Sequence, residues 1–284
     1  MRFRAEVPHL GSRPDFDWII GEPAGFEFPA GRFDYLIDFA TPSAAEVGAG
    51  GPAIVERCLQ GSANLIRFAR TAGVRRVLYA SSGAVYGRQP GDVERLGEDF
   101  SADAATVSSY GLLKQRSEAL FLASNLDCVV TRGFAFIGPY LPLTDKFAAG
   151  SFLRDALAGG PIRIHGDGHE VRSYLYAGDL TASLIGLLAH GKCRTAYNVG
   201  SDVAVSLIEL ANLIAALAPG RCEVLLGGKP AVGAERYVPD VIQGRRTLGN
   251  RRDLPLAEAI KRTLDWALNA APPAFSTKPN LIDA

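Results

Sequence analysis

Tyr110 and Lys114 stand four residues apart in the segment "SSYGLLK". On a helix that spacing puts both side chains on one face, one turn apart. An ammonium beside a phenol favours the phenolate and lowers its pKa from the ordinary value of about 10. A phenolate near neutral pH is a usable general base toward a hydroxyl. Upstream, "YASSGAVYG" (Tyr79–Gly87) closes an apolar run, and Ser82 within it can hydrogen-bond the same hydroxyl. Each segment alone is ordinary, because Tyr and Lys meet at this spacing on many surface helices and Ser-Ser-Gly is a common turn. Found together, in this order, they describe proton transfer at a substrate alcohol or ketone.

The elements that must hold these groups follow from the pattern around them. "DWIIG" (Asp17–Gly21), "DYLIDFA" (Asp34–Ala40), "RRVLYAS" (Arg75–Ser81) and "DCVVTR" (Asp127–Arg132) are short apolar runs bounded by turn residues, and read as buried strands. Between them lie helical patterns. In "AIVERCLQGSANLIRFARTAG", Ile54, Val55, Cys58, Leu59, Leu65, Ile66 and Ala69 recur at helical spacing; "SSYGLLKQRSEALFLAS" carries the Tyr–Lys pair. Apolar strands alternating with helices predict an α/β, Rossmann-like, doubly wound parallel sheet. Open sheets of this kind bind ligands at the carboxyl ends of their strands, where Ser82 falls. The second half is less regular: helix "FAAGSFLRDALAG", strand "IRIHG", segment "VRSYLYAGDL", a helix opening at Ser206 with Glu209 in a capping box, and helix "LAEAIKRTLDWALN". It predicts a smaller mixed α/β unit. The boundaries expected are 1–138 for the sheet domain and 139–284 for the second, with about 171–200 returning to the sheet. The tail "APPAFSTKPNLIDA" reads as loose.

The glycines of "VGAGGPAIVE" (Val47–Glu56) suggest a dinucleotide loop, but a true one follows a strand directly and opens a helix. Here "TPSAAEV" intervenes, and a flexible loop leading into a helix is the better reading. "GGKPAVGAE", near residue 230, lacks a helical pattern after it. The totals exclude other classes. Lys+Arg and Asp+Glu are 30 each, so nothing points to nucleic acid or a charged membrane surface. No apolar run approaches the ~18 residues of a spanning helix. Cys58, Cys128, Cys193 and Cys222 are scattered with no CxxC pair, so neither a metal site nor a disulfide frame is expected, and the cytoplasm is the expected location.

With these segments in place the chain resembles the extended short-chain dehydrogenase/reductases of the NAD-dependent epimerase/dehydratase group, which act on nucleotide sugars. The resemblance runs from about Asp17 to Trp266. It rests on "DYLIDFA", "GSANLIRFARTAGVRRVLYASSGAVYG", "SSYGLLKQRSE", "TRGFAFIGP", "VRSYLYAGDL", "AYNVGSD" and "RYVPD". It implies a catalytic triad of Ser82, Tyr110 and Lys114, with NAD as cofactor and NADP not excluded. Phe39, Ala40 and Thr41 would touch the cofactor together with Tyr110 and Lys114. Arg172 and Arg236 would grip the diphosphate of a nucleotide-sugar substrate, a surface ion pair being the alternative role of each. It also implies a homodimer, formed through the helix bearing the Tyr–Lys pair and its neighbour; Leu112, Leu113, Leu120 and Phe121 suit that interface or an ordinary core.

Three departures qualify the resemblance. The chain is roughly forty residues short of the family's usual opening, judged by domain length, so the first strand, glycine loop, following helix and second strand are expected to be missing from it. Glu22-Pro23, Arg57 and Ala135 replace residues common near the cofactor or substrate. After Ser82 come Gly83 and Ala84, where dehydratases of the family carry two carboxylates. An acid and a base at neighbouring carbons are what elimination needs. The expected reaction is therefore sugar epimerisation or keto-sugar reduction, ahead of 4,6-dehydration or a non-catalytic binding role.

Overall fold

A computed structural model describes residue 10 and residues 13–25, 27–228 and 235–269 of the 284-residue chain. In chain order the elements are β1 (Tyr35–Asp38), α1 (Ala44–Thr71), β2 (Arg76–Ser82), α2 (Ser109–Ala123), β3 (Cys128–Gly133), β4 (Ala135–Ile137), α3 (Ala148–Leu157), β5 (Ile162–Ile164), β6 (Val171–Arg172) and β7 (Tyr174–Tyr176). They continue with α4 (Ala177–His190), β8 (Thr195–Val199), β9 (Val205–Ser206), α5 (Leu207–Leu217), β10 (Val224–Leu226), β11 (Arg236–Tyr237), α6 (Ile242–Thr247) and α7 (Leu256–Asn269).

The main sheet is parallel throughout, in the order β1-β2-β3-β8. Side chains alternate across it as the two-residue strand period demands. Val77 and Tyr79 of β2 and Cys128 and Val130 of β3 meet Ile66 and Ala69 of α1 and Phe121 of α2. Val129, one residue out of step, faces the other layer with Leu187 of α4 and with Leu175, Tyr197 and Val199. Helices on both faces of a parallel sheet are the α/β Rossmann-like architecture expected from the alternation. The second core gathers α3, α5 and α7 around Phe152, Leu153, Ile162, Leu210 and Ile260. The capping box at Ser206 forms, with the Ser206 amide donating to Glu209 Oε2 at 2.8 Å. Among the described residues no helix is long and apolar enough to cross a membrane.

Two local expectations are corrected. Asp17–Ile20 is not a strand; it runs without regular structure, and Trp18, Ile19 and Ile20 are exposed. A short apolar run becomes a strand only where a neighbour pairs its backbone, and among the described residues the sheet ends at β1. The glycine-rich stretch is not a loop but helix. Ser43 and Glu46 make a capping box that starts α1. The helix breaks only at Gly51 (φ 61°, ψ −155°), and Pro52, which has no N–H to lose, starts the longer segment. The "GGKPAVGAE" segment lies largely outside the described residues, as do the tail from residue 270 and the first nine residues.

A buried polar network fixes α2 on the sheet. Glu118, 4% exposed, accepts from the Ser81 hydroxyl and from Arg132 Nη2 at 2.8 Å and Nε at 3.1 Å. Arg132 Nη1 donates to Tyr86 Oη at 2.8 Å and to the Glu98 carbonyl at 3.0 Å. Tyr86 donates onward to Asn198 Oδ1 at 2.8 Å. Removing one partner strands the other charge in the interior. Glu118→Ala is expected to cost about 3–5 kcal/mol in urea unfolding. Glu118→Leu with Arg132→Met is expected to recover most of that loss, and a double variant as unstable as the single would contradict the pairing.

Candidate active site

Ser82 is the last residue of β2 and the cap of a short 3-10 turn, Gly83–Tyr86; its Oγ accepts from the Ala84 amide at 3.2 Å. The N-terminus of α2 is pressed against that turn. Ser108 caps the helix, accepting from the Gly111 amide at 3.1 Å. A Cβ at Gly111 would stand 2.4 Å from the Ala84 carbonyl oxygen, so only glycine lets the helix come this close. The result puts Tyr110 beside Ser82, whose side chain pulls the phenol pKa down. The sequence pairing of Ser82, Tyr110 and Lys114 is thus one cluster in space.

Lys114, 3% exposed, donates from Nζ to Thr41 Oγ1 at 2.9 Å and to the Ala80 carbonyl at 2.6 Å. Nζ lies 5.0 Å from the centroid of the Tyr79 ring and 5.7 Å from that of Tyr110. Burial pushes the Lys114 pKa down to about 8, against the upward pull of Asp38 and Glu118. Asp38, buried at the end of β1, is itself pushed up by burial, while the Ala40 amide and Lys114 hold it down. Tyr110 departs from expectation here: burial raises its pKa and only the Ser82 side chain opposes the rise. The ammonium is committed to Thr41 and Ala80, one ring-width from the phenol, so desolvation prevails.

A cavity of about 200 Å³ opens among Phe39, Thr41, Tyr110, Lys114, Phe136 and Leu180. Phe39 is 60% exposed, and Ala40 adjoins it with its amide turned back to Asp38 Oδ1 at 2.9 Å. An ammonium has three donors, and Lys114 uses two on protein acceptors among the described residues. A flat aromatic ring with a hydroxylated neighbour fits this apolar wall and spare donor. Among the described residues no strand, glycine turn and helix precede β1, so the fit covers that end of a dinucleotide only.

The two arginines lie together, since β11 pairs with β6 in parallel, Arg236 opposite Val171 and Tyr237 opposite Arg172. Arg172 is half-buried and ion-paired to Glu170 at 3.0 Å and Glu235 at 3.3 Å. Arg236 donates from Nε to the Glu94 carbonyl at 2.7 Å. Sequence reasoning missed Asp38, Glu118 and Tyr237. Glu118 was legible as the next step of the four-residue series 110, 114, 118. Tyr237 carried no signal at all: it reaches the site from the far end of the chain, and its phenol oxygen would stand 2.3 Å from a Cβ on Gly83, the residue after Ser82.

Comparison with known proteins accords with this arrangement. The trifunctional UDP-glucose 4,6-dehydratase/UDP-4-keto-6-deoxy-D-glucose 3,5-epimerase/UDP-4-keto-L-rhamnose-reductase of Arabidopsis thaliana is 25% identical over 90% of this chain. UDP-glucuronic acid decarboxylase 1 of Xenopus tropicalis is 25% identical over 72% of it. The chain spans 40% of the former and 50% of the latter. Among solved structures, a double mutant of the dTDP-glucose 4,6-dehydratase of Streptomyces venezuelae, with NAD bound, superposes with a TM-score of 0.77 at 24% identity, covering 94% of this chain and 84% of that one. RMD from Pseudomonas aeruginosa, complexed with NADPH, gives 0.74 at 20% identity, covering 93% and 94%. The sequence profile of the NAD dependent epimerase/dehydratase family matches residues 24–200, well over half of the chain, and takes in Ser82, Tyr110 and Lys114: the chain belongs to that family.

Proposed function

We propose that this protein acts on a nucleotide sugar as an NAD(P)-dependent epimerase or keto-sugar reductase. The carrying observation is that Tyr110 and Lys114 line one cavity at the carboxyl end of the parallel sheet, with Ser82 at the end of β2 next to the lining residue Ser81. A nicotinamide cofactor bound there supplies or accepts hydride. Lys114 offers its third N–H to the cofactor's ribose, and Phe39 and Thr41 form the wall beside it. Tyr110, its pKa raised, is protonated near neutrality and is ready to donate to a keto oxygen. The reverse step needs the phenolate, which Ser82 steadies by hydrogen bonding. The turn after Ser82 offers Gly83 and Ala84, with no carboxylate to drive elimination, which supports epimerisation or reduction ahead of dehydration despite the dehydratase names among the relatives.

Arg172 is the better placed of the two arginines for a substrate diphosphate. It lies near the Tyr237 phenol, whereas strand alternation turns Arg236 toward the loop at Glu94. A phosphate there has to displace Glu170 or Glu235 from the guanidinium. The homodimer proposed from the helix pattern keeps support from the exposed Leu112 and Leu120 on α2. A cytoplasmic location is proposed with it.

Three outcomes test this reading. Purified protein is assayed with UDP- and dTDP-linked hydroxy- and keto-sugars and either nicotinamide cofactor. Tyr110→Phe is expected to lower kcat by roughly 10²–10⁴-fold, and an unchanged kcat sinks the assignment. Second, Lys114 has a folded pKa of about 8 against an ordinary 10.5, so between those values the unfolded chain holds a proton that the folded chain has released. Stability contributed through this group therefore rises with pH across that window. The stability difference between wild type and Lys114→Met should grow over the same interval in urea titrations; a flat difference contradicts the burial of the ammonium. Third, Leu112→Lys with Leu120→Lys is expected to turn a dimer into monomer in sedimentation. A wild-type chain that is monomeric from the start removes the dimer proposal.

A further inference from the structure

Asp38 is a buried carboxylate that the proposed mechanism does not use. It is the last residue of β1 and is 5% exposed. A carboxylate in the interior is tolerated only where it is hydrogen-bonded or paired. Here Oδ1 accepts from the Ala40 amide at 2.9 Å, the two-residue reach of an Asx turn. The Thr41 amide donates to the Phe39 carbonyl at 2.8 Å, which closes a three-residue turn. Apolar packing does little for this turn, because Phe39 and Ala40 are both exposed. Hydrogen bonds hold it instead, and Pro42 restricts the backbone of Thr41 from the other side. At the end of the turn, Thr41 Oγ1 accepts from Lys114 Nζ at 2.9 Å. The same ammonium donates at 2.6 Å to the carbonyl of Ala80, on the strand paired with β1.

We infer that Asp38 is a positioning residue: it holds the turn that ends at Thr41, so that Thr41 and Ala80 together orient the Lys114 ammonium with its third N–H toward the cavity. The three donors of an ammonium are fixed relative to one another. Two acceptors at fixed places therefore set the direction of the third donor. Loss of either acceptor leaves the lysine side chain free to swing about the other. In this task Asp38 is an acceptor for an amide, which asparagine can also be. Its charge acts separately, pulling the Lys114 pKa upward against burial. Glu118 on α2 pulls the same way, and Cys58 on α1 and the rings of Tyr79 and Tyr110 also face the ammonium. None of these neighbours accepts from the Ala40 amide. What the oriented N–H serves, a hydroxyl of the cofactor, rests on the function proposed above; the hold of Asp38 on Lys114 does not.

The test uses the full chain labelled with lysine carrying nitrogen-15 at Nζ, the Lys114 signal being assigned by its loss in Lys114→Met. The Nζ shift responds to the hydrogen bonds of the ammonium and is read with neither cofactor nor substrate. The pH is set in each variant below the point where Lys114 titrates, so that ammonium is compared with ammonium throughout. Asp38→Asn keeps an acceptor for the Ala40 amide and loses the charge; Asp38→Ala loses both. Asp38→Leu, apolar and of nearly the shape of asparagine, stands in for Asp38→Ala should the smaller side chain not fold. The Ala variant is expected to displace the Lys114 signal from its place in the Asn variant, in the direction that Thr41→Val moves it from wild type. With Thr41→Val added, the Asn and Ala variants are expected to coincide, because residues acting through one group are not additive. Coincident signals while Thr41 is intact, or a difference that survives Thr41→Val, overturns the inference. In turnover, Asp38→Ala should raise the KM for the nicotinamide cofactor roughly tenfold, the worth of about one hydrogen bond, and Asp38→Asn should recover most of that loss. An equal loss in both variants assigns the effect to charge and also overturns the inference. Should Tyr110→Phe keep full turnover, the function proposed above falls while the nitrogen-15 result still decides the role of Asp38.

Discussion

Glu118 and Arg132 form a largely buried ion pair, and the geometry of the candidate site hangs on their pairing. A carboxylate and a guanidinium in the interior are tolerable only if each satisfies the other. Here the bidentate contact also reaches Ser81, the residue before Ser82, and Glu118 lies one helical turn beyond Lys114. One ion pair therefore sets the rotation of α2, which decides where Tyr110 and Lys114 point, against the end of β2, which decides where Ser82 points. Hydrophobic contact between Phe121, Tyr79 and Val130 holds the same layers together, but apolar packing tolerates small shifts that a bidentate hydrogen-bonded pair does not.

Close approach is the second constraint. Gly111 lets α2 touch the Ala84 carbonyl, and Gly83 makes room for Tyr237. Neither glycine is at positive φ; each serves by having no side chain where another group must pass. The glycines that first draw the eye, in Val47–Glu56, do something else. They sit inside α1, where Gly51 breaks the helix.

Electrostatics at the site differ from the simplest account of a Tyr–Lys pair. That account has the ammonium pulling the phenol pKa down. In the folded chain the ammonium is drawn toward Thr41 and Ala80, and burial raises Tyr110 and lowers Lys114 toward neutrality. Burial disfavours the charged form of each group, so the two pKa values move apart, the phenol upward and the ammonium downward.

The sequence by itself determined the parallel α/β order, the Ser206 cap, and the Ser82, Tyr110 and Lys114 set, because each of these is written locally. Strand runs alternate with helices, a cap is four residues long, and a helix turn spaces Tyr and Lys. The family, too, is legible in those segments. What only the tertiary structure decided is whatever depends on a distant neighbour. "DWIIG" has strand composition yet is irregular, because among the described residues the sheet ends at β1. Arg172 and Arg236 read alike in the chain, but strand alternation turns one toward Tyr237 and the other toward Glu94. Tyr237 itself is unremarkable in "RYVPD"; it joins the site because β11 pairs with β6 and carries its ring onto Phe134. Hydrogen bonds and burial across more than a hundred residues of chain have no period, and a sequence read one window at a time holds no trace of them.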